Sequence, residues 1–181
     1  MQIQIDSREK ARAVTRIVKY FDKNGIGYFV SKLYVADYMS YDNPRLVIDR
    51  KQSLGEICAN LSDVPKKNKD GTIKRDPNGI PLTERRRFIN ELIKAKQAGI
   101  SVIVLCEHGG SIKTLEDVRH WVNPRLNESP LAISGERLYK LMRTLELSDR
   151  YDVRFMFCDK RNTGKRIVEL LSGDGCDKSV R

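Results

Sequence analysis

The chain has 181 residues, with 34 Lys or Arg against 24 Asp or Glu and a formal charge of +10. At 40% hydrophobic and 32% charged it is too apolar for a disordered chain and too charged for a membrane protein, which leaves a basic globular domain able to bury a real core. Its longest apolar runs, such as Val102 to Cys106, fall far short of the roughly 20 residues that cross a bilayer.

The opening Met1-Gln2-Ile3-Gln4-Ile5-Asp6 alternates and turns charged at once, without the apolar stretch of a secretory signal, so a cytoplasmic protein is expected. Cys58, Cys106, Cys158 and Cys176 are dispersed, with no C-x-x-C pair to suggest zinc or a redox centre. Cys106 and Cys158 lie in apolar stretches and read as reduced core residues.

Ile3 and Ile5 predict a first strand, and Val14, Ile17, Val18 and Phe21 recur at helical spacing before Gly25, a left-handed stop. Residues 28–39 are β-branched and aromatic and predict one strand. Ser40-Tyr41-Asp42-Asn43-Pro44 then turns the chain into a strand over 45–51, closing an antiparallel hairpin, and a short helix is expected around 54–61. Residues 62–83 carry Pro65, Gly71, Pro77, Gly79 and Pro81 with no apolar period, a connection longer than compact domains usually tolerate.

Phe88, Ile89, Leu92 and Ile93 form the inner face of the next helix, which leads through Gly99 to a buried central strand over 101–107. Thr114 is placed to cap a helix reaching Trp121, and Ser134 a longer one carrying Leu138, Leu141, Met142 and Leu145. Val153, Phe155 and Phe157 alternate as a last strand, and a helix over 163–171 closes the domain. We find no internal repeat and no second-domain boundary. The expected organisation is one domain over 1–171, with 62–83 a long basic loop and 172–181 a flexible polar tail. This order of elements predicts a mixed α/β fold around a central sheet.

Chemistry concentrates in the first third. Asp49 and Lys51, two apart on a strand, leave the same face of the sheet. A hairpin centred on Asp42 pairs Asp37 with about Val47 and makes it the diagonal neighbour of Asp49, so both carboxylates can lean onto one hard cation, Mg²⁺ or Mn²⁺. Asp6, ending the neighbouring strand, is a candidate third oxygen donor. Such a set suits phosphodiester hydrolysis, in which a cation acidifies bound water and Lys51 orients hydroxide and steadies growing phosphate charge. Arg8 and Arg50 are candidates for holding flanking phosphates, and the net positive charge would attract the polyanion.

The stretches Ile5-Asp6-Ser7-Arg8-Glu9, Ala36-Asp37-Tyr38 and Asp49-Arg50-Lys51 resemble the V-D-x-R-E, G-D-Y and E-R-K motifs of the XPF-type (excision-repair group-four) endonuclease domain, a branch of the PD-(D/E)XK nuclease superfamily. The resemblance implies a restriction-endonuclease-like central mixed sheet flanked by helices. It implies metal binding by Asp37 and Asp49, catalysis by Lys51 and supporting roles for Asp6, Arg8, Glu9 and Arg50. Cleavage at branched, flapped or junction DNA in repair or recombination follows from it too, with a 5′-phosphate and a 3′-hydroxyl as products. Ala36 stands where the family has glycine, Asp49 where it has glutamate, and Glu56 falls one place beyond the family's following acid.

Other readings stand beside these. Asp6 and Glu9 also fit a helix capping box, and Asp49 with Lys51 a surface ion pair. Lys66, Lys67, Lys69, Lys74 and Arg75 in the long loop suit either DNA binding or a solvated insertion. Lys160, Arg161, Lys165 and Arg166 open the last helix, where backbone N–H groups attract phosphate, and also suit a soluble surface. Glu107 beside His108 ends the central strand as a secondary candidate, His120 reads as a packing or surface residue, and Tyr34, Tyr38 and Tyr41 are stacking candidates. The leading expectation is a metal-dependent endonuclease, with no membrane partner and with room for a homodimer. A non-cleaving nucleic-acid-binding subunit of nuclease fold and a sequence-specific restriction-type enzyme are the alternatives.

Overall fold

Ile3 and Ile5 alternate with Gln2 and Gln4 to make β1 (Gln2–Asp6), and α1 (Ala11–Lys23) buries Ile17 and Phe21 against the same face of the sheet. The computed structural model describes residues 1–130 and 132–173. The chain continues through β2 (Gly27–Ser31), β3 (Tyr38–Ser40), β4 (Asn43–Lys51), α2 (Leu54–Asn60), α3 (Glu84–Gln97), β5 (Ser101–Glu107), α4 (Gly135–Leu147), β6 (Val153–Cys158) and α5 (Thr163–Ser172). The six strands form a mixed sheet in the order β2-β1-β3-β4-β5-β6. β3 is antiparallel to both β1 and β4; the other neighbours are parallel.

Alternate residues of each strand feed two separate cores. Val47, Val102, Val104 and Phe155 pack with α2, α3 and α4, while Ile48, Ile103 and Leu105 pack with α1 and α5. Strands buried on both faces explain the near-continuous apolar run of β5. No helix among the described residues is long and apolar enough to cross a membrane.

Four expectations need correction. Residues 28–39 are two strands, with β2 parallel to β1 and β3 on the other side of β1. The connection between them crosses the end of β1 and reverses at Ala36, which holds φ 63°. Strand propensity does not register such a crossing, because both halves carry the same β-branched composition.

The hairpin register also differs. Tyr38 faces Ile48 and Met39 faces Val47, but Ser40 faces Asn43, so β4 carries extra residues in an irregularity beside Met39 and Ser40. The ladder ends at the Tyr38–Ile48 pair, and Asp37, just before β3, donates its N–H to Ile48 O (2.9 Å) with its carboxyl near enough to Asp49 for the two to repel.

Residues 65–83 form an ordered array with an eight-residue repeat, where the sequence reading saw a loop and no repeat. Lys66 N–H donates to Leu82 O (2.8 Å), Leu82 N–H to Lys74 O (2.9 Å) and Lys74 N–H to Lys66 O (2.8 Å), closing a ring of three short segments. Its two turns match. Asn68 and Asp76 donate to Thr72 O and Ile80 O (2.8 and 2.9 Å) and accept from Gly71 and Gly79 (3.1 and 2.9 Å). Both glycines are left-handed, with φ +85° and +78°, which a side chain would strain. The repeat lies in backbone pairing and polar turn residues, so no hydrophobic period announced it.

The helix expected to reach Trp121 is only a short 3-10 turn, Glu116–His120. Cys176 and nearly all of the expected tail lie outside the described residues.

Candidate active site

Everything the motifs singled out meets at one end of the sheet, where β1, β4 and β5 finish and β3 begins. Asp6 organises the crossing. Its Oδ2 accepts Leu33 N–H (2.7 Å), and its two oxygens accept Arg8 N (2.7 Å), Nε (2.8 Å) and Nη2 (2.9 Å). Burial raises its pKa, but hydrogen bonds from Arg8 and Leu33 outweigh that and leave the carboxyl below its usual range. With both oxygens so occupied and the residue 2% exposed, Asp6 is a pin for the loop rather than an open third donor for a metal. Arg8 closes that pin, also reaching Leu33 O (3.3 Å), so only part of its exposed guanidinium faces outward.

The pinned loop delivers Asp37. Its carbonyl accepts Asp6 N–H (2.8 Å) and its N–H donates to Ile48 O (2.9 Å), wedging it between β1 and β4. Asp37 Oδ2 accepts Arg50 N–H (2.7 Å). Burial, Asp49 and Glu9 push its carboxyl well above the usual carboxylate range, with Lys51 and the Arg50 N–H opposing. Lys51 donates to Asp49 Oδ1 (2.7 Å) and lies 5.7 Å from the Phe88 ring of α3. Burial would lower its pKa, yet Asp49 and Asp37 win and keep it an ammonium.

On the opposite face, Arg50 is 4% exposed and bridges Glu9 (2.7 Å) and Glu107 (3.1 Å); Thr163 also donates to Glu107 Oε1 (2.9 Å). This corrects the expectation that Arg50 holds a phosphate. The alternating pleat turns it into the α1/α5 core, where Glu9 meets it from the loop after β1. Glu107, a secondary candidate, is thereby an anchor of Arg50. Tyr38 is fully buried on the same face, with burial raising its pKa, which removes it from the stacking candidates. Tyr34 and Tyr41 are exposed.

Glu56 caps α2, accepting Gln52 N–H (2.8 Å). His108 sits edge-on to Trp121 at 6.4 Å, and burial with Lys113 lowers its pKa; His120 is exposed. Lys66 pairs with Glu84 (2.6 Å), and Lys165 and Arg166 both pair with Glu169 (3.6 and 3.1 Å). Lys67, Lys69, Lys74 and Arg75 are exposed.

Glu91 is the acid the sequence reading missed. It lines a small cavity with Asp49 and Phe88, and its place three residues after Phe88 on one helical face was the available signal. A cleft of about 470 Å³ between Cys58, Lys66, Arg125 and Ile133 contains none of the motif acids.

Asp37 Oδ1 and Asp49 Oδ2 accept no hydrogen bond among the described residues, whereas every Asp6 oxygen is satisfied. Two neighbouring carboxylates, one of them resisting ionisation, form a donor set that a hard divalent cation fits. No three His, Cys, Asp or Glu side chains among the described residues converge into a full cage. Mg²⁺ commonly takes only one or two carboxylates and completes its shell with water and phosphate oxygen.

Fold and site together define an α/β protein of XPF nuclease-like architecture, its mixed sheet flanked by helices and its acids gathered at one sheet end. Among solved structures the chain is similar to XPF from Aeropyrum pernix, with a TM-score of 0.59 and 19% identity over 99% of this chain and 67% of that one. No protein-family model and no curated protein matches the sequence. At that identity the likeness shows the fold.

Proposed function

We propose that the chain is a metal-dependent DNA endonuclease whose Asp37 and Asp49 hold Mg²⁺ or Mn²⁺ and whose Lys51 is the catalytic cation. One observation carries this reading: the Asp37 carboxyl, just before β3, and the Asp49 carboxyl on β4 lie close enough to repel, with the buried Lys51 ammonium beside them. When bound, the metal would acidify water and draw charge from the phosphate. Asp37 and Asp49 orient that ion through oxygens that no protein donor claims. Lys51, held as an ammonium by Asp49, faces the reacting phosphate and stabilises charge developing on its oxygens. Asp6 with Arg8 fixes the loop carrying Asp37, and Glu9 with Glu107 fixes Arg50, whose backbone N–H orients Asp37. The matched motifs and the shared fold support branched, flapped or junction DNA as substrate, and the net charge suits a polyanion.

The test is cleavage of labelled flap, junction and linear duplex DNA with Mg²⁺, Mn²⁺ or EDTA, repeated with Asp37→Ala and Lys51→Ala. Metal-dependent cutting lost in both variants is expected. Cutting that survives both overturns the site, and binding without cutting under any metal overturns the enzyme reading.

A further inference from the structure

The array at residues 65–83 ties up most of its charges, and its exposed acid, Asp70, accepts Thr72 N–H (2.9 Å) and the Thr72 hydroxyl (2.6 Å). Arg85 pairs with Asp63 (2.6 Å), Lys66 with Glu84 (2.6 Å) and Arg86 with Asp76 (2.7 Å), all at its base or against α3. Arg75 donates to Gly79 O (2.7 Å) and braces the second turn. Lys67, Lys69 and Lys74 are left exposed and in no ion pair among the described residues. An insertion serving only solubility has no need of a closed hydrogen-bond ring or of two matched left-handed turns. A rigid frame does something else: it presents charges to a partner without the ordering cost that a loose lysine loop would meet on binding.

Placement identifies the partner. Thr83 caps α3, accepting Arg86 N–H (3.1 Å), and Phe88, which touches Lys51, follows about 7.5 Å along the helix. The turn tips lie four extended residues further out, about 13 Å, so they stand less than one duplex turn of about 34 Å from Lys51.

We propose that residues 65–83 are a preformed arm that grips the backbone of duplex DNA flanking the reacting phosphate, through Lys67, Lys69 and Lys74. The inference rests on the phosphodiester reading of the site and adds to it a second, non-catalytic contact. Point charges on a rigid frame suit backbone phosphates, which fix the register of a duplex without reading its bases.

The experiment measures binding of a fluorescent flapped duplex in EDTA across a salt series, for wild type, the triple variant Lys67→Gln, Lys69→Gln, Lys74→Gln, and a control triple Arg16→Gln, Lys19→Gln, Lys23→Gln on the exposed side of α1. Each neutralised phosphate adds about 0.9 to the log–log salt slope, so the arm variant should lose between about 2 and 3 units of slope and about tenfold or more in affinity at moderate salt. A slope change under about 1 unit, or an equal loss in the control, overturns the arm. Because binding is read without cleavage, a protein that never cuts would sink the nuclease reading while these slopes still decide the arm.

Discussion

Asp49 and Arg50 are neighbours in β4, and the pleat sends them to opposite faces, where ions meet different company. Arg50 lies between two carboxylates and is tied to both, with Thr163 completing the cluster. On the other face Lys51 donates to Asp49 alone, and Asp37 Oδ1 and Asp49 Oδ2 accept no hydrogen bond among the described residues. A buried cluster whose charges are mutually tied locks strands and loops together. A cluster whose carboxylates keep unclaimed oxygens leaves donors with which a cation could pair.

Breaking the tied cluster should cost most. Arg50→Ala strands Glu9 and Glu107 without a counter-ion, which should destabilise by about 3–5 kcal/mol, read as a fall in urea midpoint and thermal midpoint. Replacing all three at once, Glu9→Gln, Arg50→Met and Glu107→Gln, should recover most of that loss. Tyr38 OH, Arg50 Nε and Glu107 Oε2 are buried without a hydrogen-bond partner among the described residues, so the native network is itself imperfect. If the single and triple variants melt alike, the ion cluster is not what holds this face.

The open cluster should respond in activity rather than stability. Lys51→Ala should slow single-turnover cleavage by about 10²–10³ while leaving the protein folded, because the lost donor acts on transition-state charge. EDTA should abolish the reaction, and Mg²⁺ restore it.

Asp37 offers a smaller effect of opposite sign. Its native pKa is raised, so between the ordinary carboxylate value and that raised value the folded state binds more protons than the unfolded one. Stability should therefore fall as pH climbs through this window and stay lowered above it. Asp37→Asn should remove that slope and stabilise the metal-free protein at neutral pH, while ending cleavage. Chemical denaturation from pH 4 to 8 in EDTA checks it; a variant no more stable than wild type would contradict unrelieved repulsion.

Smallest is Ala36→Gly. Ala36 is the one non-glycine with positive φ among the described residues, and it stands where the resembling family has glycine. Relieving about 1–2 kcal/mol of left-handed strain against glycine's entropy cost should leave a gain of about 0.5 kcal/mol, measurable as a shift in urea midpoint.

Much of this architecture was legible from pattern. The spacing of Val14, Ile17, Val18 and Phe21 reads as α1, the apolar run at 101–107 as β5, and Ser134 as the cap of α4. Asp49 and Lys51 were readable as one face because side-chain direction along a strand is local. Arg50 was misread by the same argument left unfinished: alternation implied the other face, but only packing shows that face to be core. Lys66, Lys165 and Arg166 looked available until their acidic partners were in view.

By itself, then, the sequence determined the order of elements, the motif residues and the side each strand residue takes, since these depend on periods of a few residues. Tertiary structure decided that Asp37 comes near Asp49, that Asp6 pins a loop, that Arg50 is buried and that residues 65–83 close into a ring. Each of these turns on where a chain crosses, how a hairpin slips register or which distant carbonyl an N–H reaches, and such contacts form only when segments far apart in sequence pack together.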